Sequence, residues 1–338
     1  MPPEKPLTGE PALINALSRI FGPPPAAVAV GIGDDCAALA VAGPDYLLWT
    51  VDTLLEGVHF DLAYFSLSQL GYKALAVNLS DIAAMGGEPL YALLSLGWPK
   101  GQDPAGALAL GEGLARTAGE YGVAVIGGDT VASPKGVMVT ISLLGRVPKM
   151  EMLRRRGAQV GDRVYVTGPL GEAAAGLEML KRGVTLEPQL KEALAQGHLA
   201  PRPQLRAGRI LAGEKLASAL IDLSDGVATD LGHVCRASGV GAKIPAAGAP
   251  VSPRVRAAAP LLGLDPLDLA LKGGEDYQLL FTSPPEKTGA LFQAFDRAGL
   301  PRPLSLGEII PGTGVWLATP EGEKEIAGEG FDHFRLDL

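Results

Sequence analysis

The sequence predicts an α/β protein of two domains, each half mixing helices with strands and joining its neighbour near residues 148–150. Three observations carry this. The chain has 338 residues, and at roughly 100–200 residues per domain that length suits two domains better than one or three. Strand-like apolar runs alternate with Ala- and Leu-rich helical runs in both halves. The pattern then changes over residues 148–161, where Arg154-Arg155-Arg156 breaks an apolar region ahead of Gly161-Asp162. The expected domains are residues 1–148 and 149–338.

The elements follow in chain order. Leu13, Ile14, Leu17 and Ile20 repeat at helical spacing over Glu10–Phe21, and Gly22 followed by a proline run ends the helix. Residues 46–51 (Tyr-Leu-Leu-Trp-Thr-Val) predict a buried strand. Residues 68–85 predict a helix of small residues that Gly86-Gly87 stops. Residues 90–96, 123–126 and 137–144 predict strands, and 104–121 a helix. In the second half, 163–167, 219–223, 277–282, 304–309 and 314–318 are strand-like, while 172–181, 227–237 and 287–298 are helical. Residues 168–171 form a turn, and no short repeat is visible.

Composition narrows the function. Hydrophobic residues are 47% and charged residues 20% of the chain, enough to bury a sizeable core. The 45 glycines and 28 prolines are interleaved with apolar runs, so they punctuate structure and do not mark disorder. A formal charge of −8 argues against a nucleic-acid surface, which needs a basic face. Cys36 and Cys235 allow one disulfide at most, and make neither an extracellular framework nor a thiolate metal cage. Met1-Pro2-Pro3-Glu4-Lys5-Pro6 has no apolar core of a leader, and no run of about 18 uninterrupted apolar residues occurs. A soluble, cytoplasmic protein is expected.

Acidic residues at element ends, each beside small residues, concentrate the chemistry. They are Asp34 and Asp35, Asp52 closing a strand, Asp81, Asp129 after Gly127-Gly128, Asp222 and Asp225, and Glu275 and Asp276 after Gly273-Gly274. Any one of them can be a helix cap or turn residue, with Asp225 a good N-cap and Asp34 suited to a tight turn. The repetition is harder to explain that way. Asp52 and Asp129 each follow a hydrophobic strand and precede threonine, and Asp81 belongs to an apolar helix where an unpaired charge is costly. Converging carboxylates need cations between them. Hard oxygen ligands without Cys/His spacing favour magnesium or manganese over zinc. Magnesium in turn joins carboxylates to substrate phosphates, so metal-assisted phosphoryl transfer or hydrolysis is the chemistry implied. Calcium storage lacks EF-hand spacing. G-x-x-x-x-G-K-[ST], the protein-kinase motif set and G-x-S-x-G are all absent.

Other residues carry two readings. Gly168-Pro169-Leu170-Gly171 before a helix offers N–H groups to an anion, or is only a turn. His59 follows Asp52 closely, although a lone histidine is more often structural. Cys36 and Cys235 pack as small core residues. Arg154 to Arg156 is a solvated run or a counter-charge for nucleotide phosphates. Phe331 anchors the C-terminus or stacks on a heteroaromatic ring.

The series Gly31-Ile32-Gly33-Asp34-Asp35-Cys36-Ala37, Val51-Asp52-Thr53, Gly57-Val58-His59-Phe60, the block from Lys73 through Asn78-Leu79-Ser80-Asp81 to Gly86, Gly127-Gly128-Asp129-Thr130, Ile221-Asp222-Leu223-Ser224-Asp225-Gly226, Gly273-Gly274-Glu275-Asp276-Tyr277 and Gly330-Phe331-Asp332-His333-Phe334 resembles thiamine-monophosphate kinases in order and spacing. The resemblance runs from about residue 10 to 334. It implies the two-domain aminoimidazole-ribonucleotide-synthetase-like fold, with N-terminal sheets pairing in a homodimer. It implies transfer of the ATP γ-phosphate to thiamine monophosphate with several magnesium ions. Position by position, Asp35, Asp52, Asp81, Asp129, Asp222 and Asp225 become metal ligands, with Thr50 and the carbonyl of Val51. Gly128, Asp129, Arg155 and Ser224 become ATP contacts, and His59, Glu275 and Phe331 thiamine-phosphate contacts. Valine replaces a possible threonine at position 51, and Arg154 or Arg156 could take the part of Arg155. The alternatives are another ATP-dependent synthetase of the same superfamily, or a binding or maturation scaffold without catalysis.

Overall fold

A computed structural model describes residues 9–334; the proline-rich run at the start of the chain lies outside them. The first half comprises α1 (Glu10–Phe21), β1 (Val28–Val30), β2 (Ala37–Ala40), β3 (Asp45–Leu55), α2 (Leu67–Ala84), β4 (Glu88–Pro99), α3 (Ala105–Tyr121), β5 (Ala124–Ser133) and β6 (Met138–Pro148). Its six strands form one sheet in the order β1-β2-β3-β6-β4-β5, antiparallel except for the β4–β5 pair.

The second half comprises β7 (Arg163–Val166), α4 (Glu172–Arg182), α5 (Pro188–Leu199), α6 (Leu205–Gly213), β8 (Ala219–Asp222), α7 (Val227–Ser238), β9 (Gly241–Pro245), α8 (Pro253–Leu262), α9 (Pro266–Leu271), β10 (Leu279–Ser283), α10 (Thr288–Arg297), β11 (Leu304–Ile310), β12 (Val315–Thr319) and β13 (Gly322–Glu325). These strands make a second sheet, β13-β12-β9-β11-β7-β10-β8.

The central helix, α2, positions the site. A capping box at Ser66 and Gln69 starts it, and thirteen of its eighteen residues are buried. So much burial of a helix containing Lys73, Asn78, Ser80 and Asp81 requires neighbours on several sides. Small residues supply the close approach. A Cβ at Gly113 on α3 would overlap the Ser68 carbonyl, and one at Gly208 on α6 would overlap the Ala83 carbonyl. The helix therefore packs against its own sheet and α3 on one side and against α6 and β8 of the second half on the other.

Several expectations change in detail. Residues 46–51 are not a uniformly buried strand: along β3, Leu48, Thr50 and Leu54 face inward, while Trp49 and Val51 face out with 50% and 61% exposure. Asp52 and Asp129 lie inside β3 and β5 and not at strand ends, because both strands run several residues further. Asp225 does not cap α7; Gly226 holds the N-cap position without a side-chain bond, and Asp230 Oδ2 instead accepts the N–H groups of Asp225 and Gly226 at 3.1 and 3.0 Å. Cys36 and Cys235 are both free and buried. Among the described residues, no helix is long and apolar enough to cross a membrane.

Candidate active site

The alternation of β3 turns Thr50 and Asp52 toward α2. On α2, Lys73, Val77 and Asp81 recur at i, i+4, i+8 and form one stripe. Thr50 Oγ1 donates to Asp81 Oδ2 at 2.5 Å, fastening strand to helix. From the second half, β8 ends at Asp222, and the following turn brings Ser224 and Asp225. The turn after β1 supplies Asp34 and Asp35. Carboxylate oxygens of Asp35, Asp81 and Asp222 lie within 4.8 Å of one another. These residues, with Val51, Asp52, Asp225 and Ser224, line a cavity of about 920 Å³ between the two halves.

Electrostatics make this assembly unstable on its own. Burial, and then the Asp35 charge, pushes Asp222 up to about 8. Burial raises Asp52 to about 6, against a hydrogen bond with Asp81 that lowers it. Asp81 is raised well above the usual carboxylate range by burial and then by Asp52 and Asp222. Asp35 is buried, and its Oδ2 has no hydrogen-bond partner. An orphaned buried oxygen among converging carboxylates is the environment a hard divalent cation relieves, and the all-oxygen donor set fits magnesium. The cavity wall as a whole carries twelve acidic side chains against four of Lys or Arg. Phosphate-rich molecules can enter such a space only with cations.

Of the three consecutive arginines, Arg154 and Arg156 are exposed, and Arg155 alone lines the cavity. Its guanidinium binds Asp35 Oδ1 through Nε at 3.1 Å and one terminal nitrogen at 2.7 Å, and its backbone N–H donates to Asp34 Oδ1 at 3.1 Å. His59, Glu275 and Phe331 line the same cavity. His59 Nδ1 accepts the Leu55 N–H at 3.0 Å, and its ring lies 5.0 Å from that of His333, which meets Phe331 edge-on at 4.8 Å. Phe331 is 48% exposed, and its N–H donates to the Asp225 carbonyl at 3.0 Å, so the aromatic is tied to the acidic turn and is not merely a C-terminal anchor.

Glu275 stands in a compressed loop. A Cβ at Gly274 would overlap the Ser224 carbonyl, and the Glu275 N–H donates to that carbonyl at 2.7 Å. Glu275 and Tyr277 both take positive φ, 67° and 46°, which for such residues costs on the order of 1–3 kcal/mol each. Asp276 has the plain structural role: it accepts the Gly171 N–H at 2.7 Å and the Ala173 N–H at 3.3 Å. The 168–171 turn thus gives its N–H group to a protein carboxylate.

Two expected residues lie elsewhere. Gly128 and Asp129 are exposed on β5, separated from β3 in the sheet by β4 and β6, and do not line the cavity. Sequence reasoning missed Lys73 and His198, both buried against Glu275. For Lys73 the signal was present, since a charge in an apolar helix had already drawn attention to Asp81. His198 carried none.

Residues 33–147 match the family model described as AIR synthase related protein, N-terminal domain, and residues 159–317 match its C-terminal counterpart. The thiamine-monophosphate kinase of Salmonella typhimurium is 41% identical over 278 residues, which is 81% of this chain and 82% of that protein. That of Escherichia coli strain K12 is 39% identical over 311 residues, 91% of this chain and 92% of its own length. The solved structure "AaThiL complexed with AMPPCP and TMP" is similar with a TM-score of 0.83 and 33% identity, covering 96% of this chain and 97% of that one. With both domain models matched in order and such identity over most of its length, the chain belongs to the thiamine-monophosphate kinase family of the AIR synthase related proteins.

Proposed function

We propose that this protein transfers the γ-phosphate of ATP to thiamine monophosphate, giving thiamine diphosphate and ADP. The observation that carries the reading is the carboxylate set of Asp35, Asp52, Asp81 and Asp222 converging on one cavity in a chain of this family. Asp35, Asp52, Asp81, Asp222 and Asp225, with Thr50 and the carbonyl of Val51, would hold magnesium ions. When bound, magnesium neutralises the two phosphate groups and polarises the one transferred. Arg155 and Ser224 face the nucleotide. His59 and Glu275 hold the acceptor, and Phe331 stacks on one of its rings. The acceptor phosphate is itself the nucleophile, so the protein's task is position and charge. Cys36 takes no part as a nucleophile: it is buried, and burial followed by the Asp81 charge pushes its thiol up.

We place the division of labour at residue 148, with Asp35, Asp52 and Asp81 from the first half and Asp222, Asp225 and Glu275 from the second. Gly128 and Asp129 contact nucleotide only if a second copy presents them, and a homodimer through the first sheet accounts for their position. The face of that sheet away from α2 carries cross-strand rows Trp49–Leu144–Tyr91 and Val51–Ser142–Leu93, and among the described residues Trp49, Val51, Tyr91 and Leu93 are exposed on it. A cytoplasmic setting suits two free buried cysteines.

Phosphorus NMR of purified protein with ATP, magnesium and thiamine monophosphate tests the reaction. Thiamine diphosphate and ADP should grow at equal rates, and neither should form without acceptor or with chelator present. AMP with pyrophosphate, or orthophosphate released without acceptor, would assign the chain to other ATP chemistry.

A further inference from the structure

Lys73 is wholly buried in the middle of α2, and its ammonium lies 2.8 Å from Glu275 Oε1. His198, at the end of α5 and 1% exposed, brings Nδ1 to 2.9 Å from Glu275 Oε2. Among the described residues, neither Lys73 Nζ nor the His198 nitrogens have another polar partner. Phe65 underlies the pair: the ammonium sits 5.3 Å from its ring centre, and the His198 ring meets it edge-on at 5.4 Å. A buried cation and a buried imidazole from two different helices thus converge on one carboxylate. That carboxylate is itself on a left-handed residue and keeps 22% of its side chain open to the cavity. A buried ion pair is weak evidence for stability, since apolar packing of equal volume usually does as well. Its use must be sought in what the carboxylate faces.

We propose that Lys73 and His198 are positioning residues: they clamp the Glu275 carboxylate in one orientation across the two halves of the protein, so that it receives the amine-bearing, cationic ring system of the acceptor. This rests on the assignment of Glu275 to the acceptor in the proposed function. The α2 stripe gives the clamp its geometric sense. Lys73 and Asp81 share a helix face eight residues apart, about 12 Å at 1.5 Å per residue. One helix therefore sets both the metal-ligand corner, at Asp81, and the acceptor corner, at Lys73. The distance between ring and reacting phosphate is fixed by one rigid element. The clamp selects a ligand of that length, and thiamine without its phosphate would fill only the far corner.

The test is steady-state kinetics on the parent, Glu275→Gln, Lys73→Met, His198→Phe and the Lys73→Met/Glu275→Gln double variant. The phenyl ring keeps the contacts of His198 with Phe65 and Tyr64 while removing the nitrogen, so this variant still reports if Lys73→Met does not fold. Glu275→Gln and Lys73→Met should each raise KM for thiamine monophosphate about 10- to 100-fold, the range for one charge-assisted hydrogen bond. His198→Phe should raise it about 3- to 10-fold, a neutral hydrogen bond's share. KM for ATP should stay within about twofold, because the clamp does not face the nucleotide. The double variant should be no worse than Glu275→Gln alone, since Lys73 acts only through that carboxylate. If Glu275→Gln raises the acceptor KM but Lys73→Met and His198→Phe leave it within twofold, the positioning role is wrong and the acceptor assignment stands. If Glu275→Gln itself has no effect on the acceptor KM, the acceptor assignment falls and the clamp with it. Additive losses, or equal losses toward both substrates, would show a merely structural pair and overturn the proposal.

Discussion

Asp222→Asn should lower turnover by about 10²–10³-fold or more, the usual consequence of removing one preorganised electrostatic group, yet raise the melting temperature of the metal-free protein. Both effects have one cause. Asp222 is buried, and its carboxylate oxygen lies with those of Asp35 and Asp81 inside a 4.8 Å cluster. Burial, and then the Asp35 charge, push it up to about 8, so without a cation the cluster tolerates this charge poorly. An amide of the same shape removes the desolvation and the repulsion together. If it relieves about 1 kcal/mol, melting should rise by roughly 2–4 °C, given domains of this size. The same change deletes a hard anionic ligand. Active sites commonly trade stability for function in this way. Calorimetry and an activity assay on one preparation decide it. Full turnover would remove Asp222 from the metal set, and a lower metal-free melting temperature would make the residue a structural support.

Magnesium alone should stabilise the parent protein, and more so at pH 8 than at pH 5.5. The raised carboxylates hold protons in the folded state that the unfolded chain has already released. Their contribution to stability is therefore complete below the unfolded value of 3.8 and is lost as pH rises through about 6 for Asp52 and about 8 for Asp222. Metal-free melting should fall across that window. Magnesium displaces those protons, so it competes with them at low pH and meets free carboxylates at high pH. At a hundredfold excess over its dissociation constant, one bound ion adds about 2.7 kcal/mol. Differential scanning calorimetry at the two pH values, with and without magnesium, reads the difference. A magnesium shift that is absent, or equal at both pH values, would mean that the cluster does not bind the ion.

The sequence shows most of the architecture where elements are long and strongly patterned. Glu10–Phe21 and the helix behind Asp81 stand out because apolar spacing and terminal glycines agree. Some of the elements it does not announce have physical reasons to be quiet, although α5 and α6, of twelve and nine residues, go unannounced without one. The strand pair β1–β2 is three and four residues long with little pattern. Helix α8 carries Pro260 inside it, and α9 is only six residues. The acidic residues were legible because a charge beside glycine or within an apolar run is costly without a partner. Asp35, Asp52, Asp81, Asp222 and Asp225 share one cavity in the structure, but Asp276 fits the same pattern and its partners are two N–H groups at the start of α4. Local sequence cannot separate these cases, since the partner is about a hundred residues away. It cannot show that Gly128 and Asp129 leave the cavity either, because that follows from strand order in the sheet.

The central claim is that phosphate passes directly between two phosphates held in this cavity, with no protein group carrying it. The cavity also holds side chains that could carry it instead, among them the imidazoles of His59 and His333 and the carboxylates of the acidic cluster. The measurement is the stereochemical course at phosphorus, using ATP with a γ-thiophosphate made chiral by oxygen isotopes and thiamine monophosphate as acceptor. Direct transfer predicts inversion in the thiamine diphosphate formed. Retention would require two displacements through an enzyme-bound phosphoryl group, and would contradict the role given to the acidic cluster.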